Sequence, residues 1–235
     1  MNFELIRNII LTLISVFFAI VLHEVAHGYV AFRLGDPTAK SRGRLTLNPL
    51  AHVDPVGTIL IPASLLLMRL LFGISAPVFG WAKPVPINPT YFRRPMRGLL
   101  YVALAGPGSN LALALGTAII GQLIFLAIPN GLIQNLSGLP ANLVEAIFFL
   151  LGMFVFYNLV LAAFNLIPIP PLDGSRILMY FLPPEGKRFL ISIERYGFLI
   201  LVALLYLGAL SPIFGGIERL WQLLIGREWY ILLAF

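Results

Sequence analysis

Long apolar runs separated by short polar or proline-rich connections dominate the chain and set its predicted elements. They extend from about Leu5 to Phe32, Val56 to Trp81, Gly98 to about Ile128, Leu143 to Leu166 and Phe189 to Leu210. A shorter run, Leu220 to Phe235, is interrupted by Arg227 and Glu228 and either crosses the membrane or lies in its interface. An α-helix rises about 1.5 Å per residue, so roughly 20 apolar residues cross a hydrocarbon core of roughly 30 Å, and each long run meets that length. The runs are continuously apolar, whereas strands of a transmembrane barrel alternate apolar and polar positions. The pattern predicts an all-α membrane protein, a polytopic helical bundle of about 5–6 spans. We read residues 1–235 as one integral-membrane domain with a core at about 5–182 and accessory spans at about 189–235. The first run is too long for the apolar part of a signal peptide and is taken as a permanent span.

Composition sharpens this picture. Of 235 residues 59% are hydrophobic and 11% charged, with a mean hydropathy of +0.93, too apolar for one soluble core. The formal charge of +6 would suggest nucleic acid in a soluble protein. Here the basic residues sit in loops between apolar runs, where they anchor and orient spans, so no nucleic-acid partner is expected. Arg33, Lys40, Arg42 and Arg44 follow the first run against a single Asp36, which makes that exit cytoplasmic and places the N-terminus outside. The absence of cysteine excludes disulfides and thiolate metal sites.

The second run is ambiguous. Lys83, Arg93, Arg94 and Arg97 follow it with no acidic residue, so both its flanks read as cytoplasmic. Two paths stay open: a single crossing, or a short helix from Val56 to about Arg69 followed by a re-entrant, extended return near 70–82. Ser75, Pro77, Gly80 and Pro84 suit the second, and such backbone survives in a bilayer only where protein covers it or it lines a wet cavity. Its free edge could hold an unwound substrate strand.

The candidate chemistry begins with Leu22-His23-Glu24-Val25-Ala26-His27, an HExxH motif in the last third of the first run. Residues four apart share a helix face, so His23 and His27 can grip one metal ion, and Glu24 can reach a water there and take its proton. HExxH also occurs by chance in soluble helices. Inside a span, however, an ionisable side chain costs roughly 2.5–3.5 kcal/mol on insertion scales, which marks it as a functional candidate. His52, in Asn48-Pro49-Leu50-Ala51-His52-Val53-Asp54-Pro55, is either a further ligand or substrate donor, or a loop histidine.

The third run opens with Ala105-Gly106-Pro107-Gly108-Ser109-Asn110. Small residues permit close helix approach, Pro107 frees the carbonyl four residues earlier, and Asn110 needs a polar partner in lipid. The fourth run ends in Asn165-Leu166-Ile167-Pro168-Ile169-Pro170-Pro171-Leu172-Asp173-Gly174, where the prolines stop the helix. Asp173 is then either the cap of a new helix or a third metal ligand, since two histidines and one carboxylate are a common catalytic zinc set. If the second run returns to its own side, the end of the first run, the start of the third and the end of the fourth share one depth. His23, His27, Asn110, Asn165 and Asp173 would meet there.

Together the HExxH, the Asn48 to Thr58 stretch, Phe79-Gly80-Trp81-Ala82-Lys83-Pro84-Val85-Pro86, the Ala105 to Gly108 helix start and the Asn165 to Gly174 ending resemble the site-2 protease family of intramembrane zinc metalloproteases. The likeness is to short bacterial-type members, since no PDZ or CBS module is recognisable. It implies one zinc ion held by His23, His27 and Asp173, Glu24 as general base and acid, and Asn165 as an oxyanion donor, a kind of contact worth about 2.7–4 kcal/mol elsewhere. It implies cleavage within or near transmembrane segments of single-span substrate proteins, at the cytoplasmic side of a cell membrane, by a monomer or a homo-oligomer. A metal-ion or proton transporter using the same His/Asp cluster is the alternative. It would carry an inverted repeat, and none is visible.

Overall fold

The computed structural model describes residues 3–72, 82–128, 139–226 and 229. It is helical, with no strand among the described residues. The helices are α1 (Phe3–Arg33), α2 (Thr38–Ser41), α3 (Ile61–Phe72), α4 (Pro95–Ala127), α5 (Leu139–Asn165), α6 (Asp173–Phe181), α7 (Pro184–Ile193), α8 (Gly197–Tyr206) and α9 (Ser211–Ile225). Four stretches among the described residues are long and apolar enough to cross a membrane: Glu4–Arg33, Pro95–Ala127, Asn142–Asn165, and Pro184–Tyr206, which joins α7 to α8.

Local chemistry sets several boundaries. Glu4 lies in the first turn of α1 and Arg33 in its last, charges that oppose the helix dipole. Pro95 starts α4, where a missing N–H costs nothing. The second apolar run starts at Asp54, whose carboxylate accepts from the N–H groups of Val56 and Gly57 and caps a widened turn, Pro55–Leu60, that leads into α3. The helix reaches Phe72, a little past the expected Arg69. The extended return near 70–82 falls mainly on residues 73–81, outside the described residues, as does most of the connection from Pro129 to Pro140. The final apolar segment becomes helical at Ser211, before the expected Leu220, and its last residues are also outside the description.

α1, α4 and α5 pack mutually and form the centre of the bundle. Buried Ala114, Ala118 and Gly121 on α4 let its neighbours approach closely. α9 and Trp229 close this core: Phe148, Val155, Leu159, Ile217, Ile225 and Trp229 bury together with the two alanines. The indole N–H groups of Trp221 and Trp229 donate to the carbonyls of Gly152 at 2.9 Å and Phe148 at 3.1 Å. Outer faces carry exposed Leu13, Ile119, Leu123 and Leu126, the surface a bilayer would cover. The N-terminal half of α4 meets the last third of α1, where Val102 and Gly106 lie against the His27 and His23 rings, and α4 also packs on α6.

Candidate metal centre

His23 and His27 lie one turn apart on α1, both buried, with ring centroids 4.5 Å apart and planes at 88°. Each ring is anchored through Nδ1. That of His27 lies 2.6 Å from the Val102 carbonyl, which can only accept, so this nitrogen carries the proton. That of His23 lies 2.6 Å from Oδ1 of Asn110, whose Nδ2 donates to Asn158 Oδ1 at 2.7 Å and to the Ala19 carbonyl at 3.3 Å. Asn110 is therefore oriented as an acceptor toward His23, and that ring too is protonated at Nδ1. Such anchoring fixes tautomer and direction in metal-ligating histidines.

Both Nε2 atoms then present lone pairs, and they face each other at 3.0 Å. Asp173 Oδ2 completes the group, 3.2 Å from His23 Nε2 and 3.1 Å from His27 Nε2. No hydrogen-bond partner reaches that buried oxygen among the described residues. Three lone-pair atoms this close repel one another unless positive charge sits among them. Two neutral imidazoles and a carboxylate suit zinc in its open catalytic form, with a coordination position left over.

The backbone explains how the group assembles. Gly106 is pressed against the rings: a Cβ built there would lie 2.4 Å from His27 Nε2 and 2.5 Å from His23 Cε1. Asp173 is the first residue of α6, one place after the N-cap Leu172, and its Oδ2 is turned to the two histidines. Gly174 allows the tight chain reversal, since its Cβ would meet the Leu166 carbonyl oxygen at 2.3 Å.

A cleft of about 170 Å³ opens beside the group, walled by Pro84, Val85 and Ile87 on one side and Asn165, Pro171 and Arg176 on another. Glu24 lines it, and its Oε2 accepts from the Val85 N–H at 2.7 Å. Asn165 also lines it and donates from Nδ2 to the Leu161 carbonyl at 3.0 Å. His52 is elsewhere: it is fully buried, its Nε2 2.9 Å from the Thr46 carbonyl, and it does not join the metal-capable group.

Sequence reasoning brought His23, Glu24, His27, Asn110, Asn165 and Asp173 to one place. It missed the carbonyl that holds His27, which belongs to Val102 and not to Ala103, the one Pro107 frees. Asn158 also went unassigned, although an amide deep in an apolar run was a usable signal. The contact between Glu24 and Val85 had no signal at all, because a backbone amide has no side-chain signature.

The sequence model described as "Peptidase family M50" matches residues 129–207. The chain's relatives include several named "Putative zinc metalloprotease". YwhC of Bacillus subtilis is 39% identical over 226 residues, covering 96% of this chain and 90% of the relative. Rip2 of Mycobacterium tuberculosis is 33% identical, covering 85% and 68%, and MJ0611 of Methanocaldococcus jannaschii is 33% identical, covering 76% and 74%. No solved structure matches.

Proposed function

The chain belongs to peptidase family M50, the site-2 proteases, and is a zinc metallopeptidase of the membrane; from that premise we propose that it hydrolyses peptide bonds within or near the transmembrane segments of single-span proteins. One observation carries the proposal: three lone-pair atoms from His23, His27 and Asp173 converge beside a cleft that Glu24 also lines. In this reading His23, His27 and Asp173 hold the ion. When bound, zinc supplies Lewis acidity toward a carbonyl oxygen and makes water more acidic.

The chain's own groups do the rest. Glu24 takes a proton from the attacking water and later gives it to the leaving nitrogen, with one carboxylate oxygen fixed by the Val85 N–H and the other left for the transfer. Asn165 directs one amide hydrogen to Leu161 and keeps a second for the oxygen that gains charge as the scissile carbonyl is attacked. Buried Val102 and Ala103 and the partly buried Ile87 and Leu99 dry the cleft, which strengthens each of these contacts. A helical substrate must unwind locally before its peptide groups can reach Glu24. The basic residues flanking the end of α1 and the start of α4 support a cleft facing the cytoplasm of a cell membrane. We take residues 1–235 as one proteolytic domain.

The test uses a purified single-span membrane protein with a fluorescent C-terminal tag, incubated in detergent with wild type and with Glu24→Gln. Wild type should release the tag, and Glu24→Gln should lose at least about a hundredfold in kcat with zinc retained, given that general bases contribute typically 10²–10⁴-fold. A Glu24→Gln variant that cuts at the wild-type rate defeats the reading.

A further inference from the structure

Resting on the reading of Glu24 as the base, we infer that Arg44 is a positioning residue for it: Arg44 clamps the segment 83–88 so that the Val85 amide holds the Glu24 carboxylate. The chain of contacts is continuous. Arg44 is buried, and its guanidinium donates to three carbonyls, those of Ala51, Lys83 and Pro84. The next amide, that of Val85, donates to Glu24 Oε2. A guanidinium suits this task, since its rigid fork reaches two carbonyls at once and its charge is permanent.

Other contacts leave the segment little freedom. The Lys83 N–H donates to the His52 carbonyl at 2.9 Å, tying the segment to the same loop that Arg44 braces. At the far end Asp36, fully buried, accepts from the Asn88 N–H at 2.6 Å. Pro84 and Pro86 stiffen the backbone either side of Val85. The Val85 side chain is buried against α1, with Cγ1 lying 2.9 Å from where a Cβ on Gly28 would be. A carboxylate with one oxygen held by such a braced donor has fewer orientations available to the other, which is the oxygen that must meet water. Misplacement of a reacting group by about 1 Å can cost 10²-fold in rate.

Hydrogen exchange tests the clamp without substrate, because between Lys83 and Ile87 only Lys83, Val85 and Ile87 have amide hydrogens. In the zinc-loaded protein, Arg44→Gln should speed exchange at Val85 at least tenfold while peptides from α1 and the zinc content stay unchanged. Unchanged exchange at Val85, or loss of zinc, overturns the inference. With the tagged single-span protein, Arg44→Gln and Val85→Pro, which removes the amide hydrogen, should each lower kcat at least tenfold with KM within twofold. Val85→Ala, which keeps the amide hydrogen, should lose at least threefold less kcat than Val85→Pro, and an equal loss overturns the inference. Added to Val85→Pro, Arg44→Gln should cost nothing more, whereas a full second loss in kcat means that Arg44 acts elsewhere. If Arg44→Gln does not fold, Arg44→Lys replaces it: a kcat lowered at least threefold supports the clamp and a wild-type kcat overturns it. Activity surviving in Glu24→Gln removes the base and this inference together. A dead Glu24→Gln beside an Arg44→Gln of wild-type kcat removes this inference alone.

Discussion

Two imidazoles and a carboxylate meet because very little separates them from backbone. Gly106 leaves room for neither a methyl group nor a shift of the rings, so Gly106→Ala should lower bound zinc to less than half an equivalent, measured by elemental analysis of the purified protein. Asp173→Ala should do the same, and unchanged stoichiometry would remove Asp173 as a ligand. One step outward, Asn110→Ala frees the His23 ring to rotate and leaves Asn158 with an unanswered acceptor. Loss of such an outer partner typically weakens metal affinity 10–100-fold, which a competition titration with a chromogenic chelator reads directly. At this scale the sequence was informative where a polar side chain sat in an apolar run, as with His23, Glu24, His27 and Asn110, which stand out by their cost in lipid, and Asp173 stood out at the proline-rich end of the fourth run. It was silent where the partner is main chain, as with Val102 for His27 and Val85 for Glu24, because every residue carries the same amide and carbonyl.

Among the elements, α1, α4 and α5 were legible as spans from unbroken apolarity, and the stop of α5 from the prolines after Asn165. Less legible was how the C-terminal part docks. The stretch Pro184–Tyr206 is helical on either side of a tighter turn at Glu194–Tyr196, where the charged pair Glu194-Arg195 interrupts the apolar run without specifying a turn. α9 begins where Ser211-Pro212 supplies a helix start, a local signal that outweighed the expectation drawn from hydropathy. The docking itself depends on Trp229, whose ring fills the space above Gly121 and stacks edge-on against Phe148 with centroids 5.4 Å apart. In lipid, packing and hydrogen bonds hold helices together more than water exclusion does. Trp229→Ala removes both, and we expect a loss of about 3 kcal/mol, seen as a lower midpoint in a denaturant titration in mixed micelles, with zinc content preserved.

For the molecule as a whole, metal and fold would be coupled, because an ion held by His23, His27 and Asp173 would join α1 to α6. A ligand that binds only the folded state stabilises it by RT ln(1 + [L]/Kd), about 2.7 kcal/mol at a hundredfold excess over Kd. Stripping zinc with a chelator should therefore lower Tm by several degrees, and adding zinc back should restore it. In Asp173→Ala the same treatment should shift Tm little. Orientation is testable with equal economy: the chain has no cysteine, so Lys40→Cys and Gly131→Cys each introduce a single reporter. In intact cells a membrane-impermeant maleimide should label the second and spare the first, and the reverse would invert the topology argued from Arg33 to Arg44.

The closeness of Gly106 to the two imidazoles has a consequence for engineering. With α4 flush against the rings on that side, a peptide or inhibitor finds further contacts along Ile87 and around Pro171 and Arg176. Libraries varied at Ile87 and Arg176 would retarget the enzyme while the ion-binding floor and the Pro84–Val85 clamp on Glu24 stay untouched.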